Sequence, residues 1–129
     1  MKNRRNFLLA VALASTTIGS SWAQAPWAPS KPVRIVVPIV GSTNDVLARL
    51  VAPKLQEAFG QPFVVENKGG GGGTIGAAEV VRSAPDGHTL LVGFNGPLAI
   101  NVTLFDKLPY DPATDLVPLT LAVKSPQYL

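Results

Sequence analysis

The chain contains no cysteine, which excludes disulfides, thiolate metal sites and cysteine nucleophiles and leaves the apolar core as the sole source of stability. Histidine occurs once, at His88, with no carboxylate cluster beside it, so neither a histidine-rich metal site nor a Ser-His-Asp arrangement can be assembled from the sequence. His88 reads as a strand-edge residue. Charged side chains make up only 15% of the residues. Asp106, Asp111 and Asp115 are irregularly spaced around prolines, unlike a calcium loop, and read as solvated turn acids. No apolar run approaches the roughly 20 residues of a membrane-spanning helix.

The formal charge of +3 at pH 7 is carried by the first residues. Lys2, Arg4 and Arg5 precede an apolar stretch from Phe7 to Ile18, and Ser21-Trp22-Ala23 supplies small residues for cleavage, so residues 1–23 read as an export signal peptide. Paired arginines before Phe7-Leu8 fit the twin-arginine route, and the ordinary secretory route stays open beside it. From Gln24 onward eight basic residues meet eight acidic ones. A neutral mature chain with no basic stripe gives no basis for binding nucleic acid. The remainder, roughly 100 residues, is enough for one modest core.

Prolines 26, 29 and 32 make residues 24–32 an extended approach segment. Val33-Arg34-Ile35-Val36-Val37, ended by Pro38, has the composition of a strand buried on both faces of a parallel sheet. A loop Gly41–Asp45 follows, in which Ser42 and Asp45 have capping-box spacing. A helix is expected from there to Gly60, its apolar face made by Leu47, Leu50, Val51, Leu55, Ala58 and Phe59. Pro53 predicts a kink or two shorter pieces. Phe63-Val64-Val65 is a second strand and Thr74–Arg82 a second helix with Ile75, Ala78 and Val81 inward. After the turn Pro85-Asp86-Gly87, Thr89–Gly93 is a third strand. Phe94–Asn101 reads as a loop with a helical turn, and Leu116–Val123 as a further strand. The pattern is βαβαβ, an α/β layer with a parallel sheet.

Ligands in such sheets bind beyond the carboxyl ends of the strands. Two loops qualify. Gly41, Ser42, Thr43 and Asp45 lie between the first strand and its helix, where free amides favour an anion, and Gly93, Phe94, Asn95 and Gly96 follow the third strand. A strand order 2-1-3 makes the two loops neighbours; a helix cap and a chain turn are the plainer readings of each alone. Gly71-Gly72-Gly73-Thr74-Ile75-Gly76 matches a dinucleotide fingerprint, but no acidic residue stands at Leu91–Gly96, where a ribose partner is needed, so the glycine run reads as a flexible turn. No cofactor, catalytic residue or metal ligand is expected.

The tracts Pro29–Pro38, Asp45–Leu55, Gly60–Asn67, Ala84–Gly87 and Leu108–Pro112 together resemble the Bug family, the extracytoplasmic receptors of tripartite tricarboxylate transporters. The resemblance covers about Pro29 to Val123. It implies a two-lobed, type II periplasmic binding protein-like fold that traps a small carboxylate between its lobes and delivers it to the membrane components of the transporter. Carried over, it assigns residues 33–115 to the first lobe and 116–129 to the start of a crossover, with the chain truncated before the second lobe. Weak binding or none is then expected of this chain alone. A truncated gene product without function and a small exported α/β enzyme are the alternatives.

Overall fold

The computed structural model describes residues 27–124. The expected export signal at 1–23 and the last five residues lie outside the described residues. Three strands and three helices alternate: β1 (Val33–Val37), α1 (Thr43–Phe59), β2 (Phe63–Asn67), α2 (Thr74–Arg82), β3 (Thr89–Leu91) and the short α3 (Asn101–Leu104). The expected α/β layer is present, and both pairings are parallel in the order β2-β1-β3. Arg34 stands opposite Val64 on one side and Thr89 on the other. The ladder runs one bond past β3, because the Val92 N–H donates to the Val36 carbonyl at 3.0 Å.

Central β1 explains its own composition. Val33, Ile35 and Val37 join Ala48 and Ala52 of α1 and Phe63 of β2 in one core. On the other face Ala77 and Ala78 of α2 pack with Tyr110 and Leu91. A strand covered on both faces has no solvent side to mark with alternating polar residues. Its one charged residue, Arg34, donates twice to Glu66 of β2, at 3.0 and 2.7 Å, and also to Glu79 of α2. These carboxylates hold the guanidinium pKa above its ordinary value.

Three expectations are corrected and one alternative is decided. Of the kink or two pieces expected at Pro53, the two pieces are excluded, since helix α1 runs as one element from Thr43 to Phe59. Its buried residues are Asp45, Ala48 and Ala52, whereas Leu50 is 68% exposed and Val51 and Phe59 are also exposed. Three strands about 4.8 Å apart offer a platform about as wide as one helix, so only the small residues directly above β1 are covered. In α2, Gly76, Ala77 and Ala78 face inward while Ile75 is 56% exposed. Close approach to the chain around Pro38 turns the glycine side of α2 inward, and the Ile75 side chain lies over Gly70 instead. Residues 116–123 form no strand: they pair with no strand among the described residues, and Val117, Leu119 and Leu121 stand in solvent.

A Cβ on Gly76 would sit 2.8 Å from the Lys68 carbonyl oxygen and 3.3 Å from Pro38 Cα. Alanine is favoured over glycine inside helices by about 1 kcal/mol. Gly76→Ala is nonetheless expected to lower the midpoint of urea unfolding, since backbone must shift to admit the methyl group. A midpoint equal to or above the parent's contradicts this packing.

Candidate functional site

Beyond the carboxyl end of β1 the chain turns through Gly41, which has a positive φ of 69°, and enters α1 with Ser42 as the N-cap. Ser42 Oγ accepts from the Asp45 N–H at 3.3 Å and donates to the Ile39 carbonyl at 3.0 Å. Asp45 reaches back to the Gly41 N–H at 3.1 Å rather than to that of Ser42. Its other oxygen accepts from Asn67 Nδ2 at 2.9 Å and Arg49 Nε at 3.0 Å. These donors, Asn67 foremost and then the Gly41 amide, hold the Asp45 carboxyl below its ordinary pKa. Asp45 is therefore a buried brace joining the β1 loop, α1 and the end of β2.

This bonding sorts the first candidate loop. The Gly41 amide and both Asp45 oxygens are committed internally. The Asp45 and Val46 amides are taken by Ser42. Thr43 and Asn44, the first two residues inside α1, have amides with no intrahelical acceptor, at the positive end of a 17-residue helix. These amides can meet an anion.

The loop after β3 is packed against the glycine-rich segment that follows β2. A Cβ on Gly73 would lie 3.1 Å from the Phe94 ring and from Pro97, and one on Gly96 would strike Phe94 and the Gly72 carbonyl. A Cβ on Gly93 would strike Leu98. Phe94 and Gly96 thus fill the seam between two loops, and Asn95 is the exposed member of the set. Buried Asn101 donates to the Gly72 carbonyl at 3.1 Å and to Thr74 Oγ1 at 3.0 Å. Tyr110 donates to the Pro97 carbonyl at 2.8 Å, and burial raises its hydroxyl pKa.

The loops 41–45 and 93–96 leave the same edge of the sheet, since β1 and β3 are parallel neighbours. Between them the segment after β2 crosses the end of β1, with the Lys68 N–H bonded to the Val37 carbonyl and Gly69 beside Pro38. The glycine run is a constrained turn rather than a flexible one. Gly70, Gly71, Gly72 and Gly73 all have positive φ, and Asn101 ties the turn down. Sequence patterning points to no bracing role for Asn67 or Asn101, and it does not show that Asn101 ties this turn. The available signal is five adjacent glycines, Gly69 to Gly73, between a strand and a helix, a cost in conformational freedom that a plain connector does not require.

Cationic side chains near this edge are occupied. Arg49 is bonded to Asp45 and Asn67, and Lys68 lies 3.6 Å from Glu79. Among the described residues no group of three or more histidine or acidic side chains is placed to hold a metal ion. His88 lies at the opposite edge, where its Nε2 accepts from the Ser30 N–H at 3.2 Å. What the edge offers a ligand is amides and hydroxyls.

Residues 47–129 match the tripartite tricarboxylate transporter family receptor. This chain belongs to that family. It is 36% identical to Protein BugT of Bordetella pertussis over 98% of the chain and 40% of the relative. It is 41% identical to a UPF0065 protein of Bordetella bronchiseptica, over 95% of the chain and 36% of the relative. The chain thus spans about two fifths of the length of the curated relatives it matches. Among solved structures it is similar to an R. palustris protein with adipate, at 42% identity and a TM-score of 0.63 over 67% of this chain and 29% of that one. It is equally similar to MatC from Rhodopseudomonas palustris with bound malate, at 44% identity and a TM-score of 0.63 over 67% and 30%. A periplasmic transporter matches at 48% identity and a TM-score of 0.62, over 65% and 29%. The matched family is one of receptors, and one of the similar solved structures is a periplasmic transporter. No helix among the described residues is long and apolar enough to cross a membrane.

Two outcomes follow from the brace. Ser42→Ala is expected to cost about 1 kcal/mol of unfolding free energy, as removal of an N-cap does; chemical denaturation measures it, and no loss contradicts the cap. Asp45 and Glu66 have lowered pKa values, so their contribution to stability is present above the usual carboxylate range and is lost as pH falls below about 4. Asp45→Asn is expected to be less stable at pH 7 and to lose less between pH 5 and pH 2. A parallel pair of pH profiles overturns that assignment.

Proposed function

We propose that this chain forms the first lobe of a periplasmic solute receptor, which holds one carboxylate of a small ligand at the carboxyl edge of the sheet. On this reading residues 1–23 direct export and are removed, residues 24–32 lead in, 33–115 make the lobe, and 116–129 begin a crossover toward a second lobe. The ligand is passed to the membrane components of a tripartite transporter. The observation that carries the reading is the order β2-β1-β3, which puts the loops after β1 and β3 on one edge with the start of α1. The relatives with adipate and malate support a dicarboxylate as the ligand class.

Recognition then rests on the amides of Thr43 and Asn44, the Thr43 hydroxyl and Asn95, the exposed member of the second loop. Amides at a helix start suit an anion without a matching buried cation, whose desolvation is costly. The same edge offers no nucleophile with a base beside it, so the reading is capture without catalysis. A ligand held by this lobe by itself stays half solvated, and its affinity is low.

The test is an amide NMR titration of the purified chain with malate, adipate and uncharged diol controls. Malate or adipate is expected to shift Thr43, Asn44, Asn95 and Gly96, with saturation only at millimolar concentration, about 4 kcal/mol of binding. The diols shift none of them. Flat spectra, or shifts centred on the groove between α1 and β2, overturn the proposal.

A further inference from the structure

Four asparagines stand among the described residues, and the fold protects three of them. Asn67 is bonded to Asp45 and Arg49, and the amide that follows it, on Lys68, is bonded to the Val37 carbonyl. Buried Asn101 donates to the Gly72 carbonyl and to Thr74, and the branched side chain of Val102 follows it. Asn44 lies in the first turn of α1, and the Asp45 amide after it is bonded to Ser42. Asn95 has none of this protection. It is the exposed asparagine of the four, its side chain makes no capping bond, and the Gly96 N–H after it donates to no group among the described residues.

An asparagine side chain and the next backbone nitrogen can close a five-membered ring, and a side chain on the next residue hinders that approach. Glycine presents no such side chain. Packing fixes glycine at this position, because a Cβ on Gly96 would strike the Phe94 ring and the Gly72 carbonyl. The Asn95 backbone is helical, with φ −55° and ψ −31°, so the Gly96 nitrogen must swing toward Cγ before the ring closes. The helical turns that resist this swing, Gly96–Ile100 and α3, are five and four residues long, too short to hold themselves in water. The bond that closes the first of them over Asn95, from the Leu98 N–H to the Phe94 carbonyl, is a long 3.3 Å.

We infer that Asn95 is a site of spontaneous modification, at which the side-chain amide is lost through a succinimide with Gly96 and replaced by a carboxylate at the ligand edge of the sheet. Hydroxide takes the proton of the Gly96 nitrogen, which attacks Asn95 Cγ. The N–Cγ bond forms, the Cγ–Nδ2 bond breaks, and ammonia leaves with a proton from water. Water then opens the ring at either carbonyl, giving aspartate, or isoaspartate with the main chain routed through Cγ. The sum is asparagine and water to aspartate or isoaspartate and ammonia, with nothing oxidised or reduced. Either product carries a negative charge where the side chain had none. On the function proposed above, on which this consequence rests, that charge repels an anionic ligand, so the conversion gradually retires the edge as a carboxylate site.

Peptide mapping by mass spectrometry tests the modification, on the full chain held folded at mildly alkaline pH and sampled over time. The expected result is conversion of Asn95 to an aspartate and isoaspartate pair, faster at higher pH, ahead of Asn44, Asn67 and Asn101. Asn95 that stays intact in the folded chain, or that converts no faster than Asn44, overturns the inference. Amide NMR titrations of the parent chain and of Asn95→Asp with malate read the consequence. Half-saturation is expected at about threefold more malate in the variant, the effect of one like charge close by in water. Equal half-saturation overturns the consequence. Malate that shifts nothing in the parent chain is instead the failure of the proposed function, and the peptide map still decides the modification.

Discussion

The parallel pairing of β1 with a strand on each side is the constraint on which the rest depends. It buries Val33, Val36 and Val37 completely and obliges the loops that follow the strands to emerge at one edge. It also explains why α1 and α2 meet the sheet with alanine and glycine. A central strand flanked at 4.8 Å spacing leaves a shallow, narrow surface, and helices settle closely upon it only where side chains are small. The Asp45 brace acts on this frame, locking the first loop to the end of β2 so that the start of α1 does not wander.

Parts of this were legible in the residues. Five apolar-rich residues closed by Pro38, and a serine three positions before Asp45, carry local physics that tertiary contacts do not overrule. Gly60 closes α1 in the left-handed conformation, its N–H bonded to the Gln56 carbonyl, for the same reason. The helix faces were less legible. Leu50 and Ile75 keep helical spacing with other apolar residues, but burial depends on how much sheet there is to cover them, and three strands cover little. The 116–123 tract has strand composition without a strand to pair with, and composition alone does not supply one. The glycine run reads as flexible from its glycine content, and its tie, Asn101 donating to the Gly72 carbonyl from nearly 30 residues later, leaves no local signal.

The candidate site illustrates a division between bracing and contact. Asp45 and Gly41 are spent on each other, Phe94 and Gly96 on the glycine turn, and Arg49 on the brace. That leaves the Thr43 and Asn44 amides and the Asn95 region at the edge, dipoles held in place by neighbours that do not face the ligand. Preorganised amides of this kind lose little order on binding. On the proposed function they also discriminate weakly among carboxylates, so ligand choice falls to whatever faces them across the proposed cleft.

The central claim, that the loops after β1 and β3 share one edge, is tested most directly by paramagnetic relaxation. Because the chain has no cysteine, Thr43→Cys accepts a single nitroxide without background labelling. The account predicts that this label broadens the amides of Phe94, Asn95 and Gly96 more strongly than those of Gly87 and His88 at the other end of β3. The reverse order of broadening contradicts it.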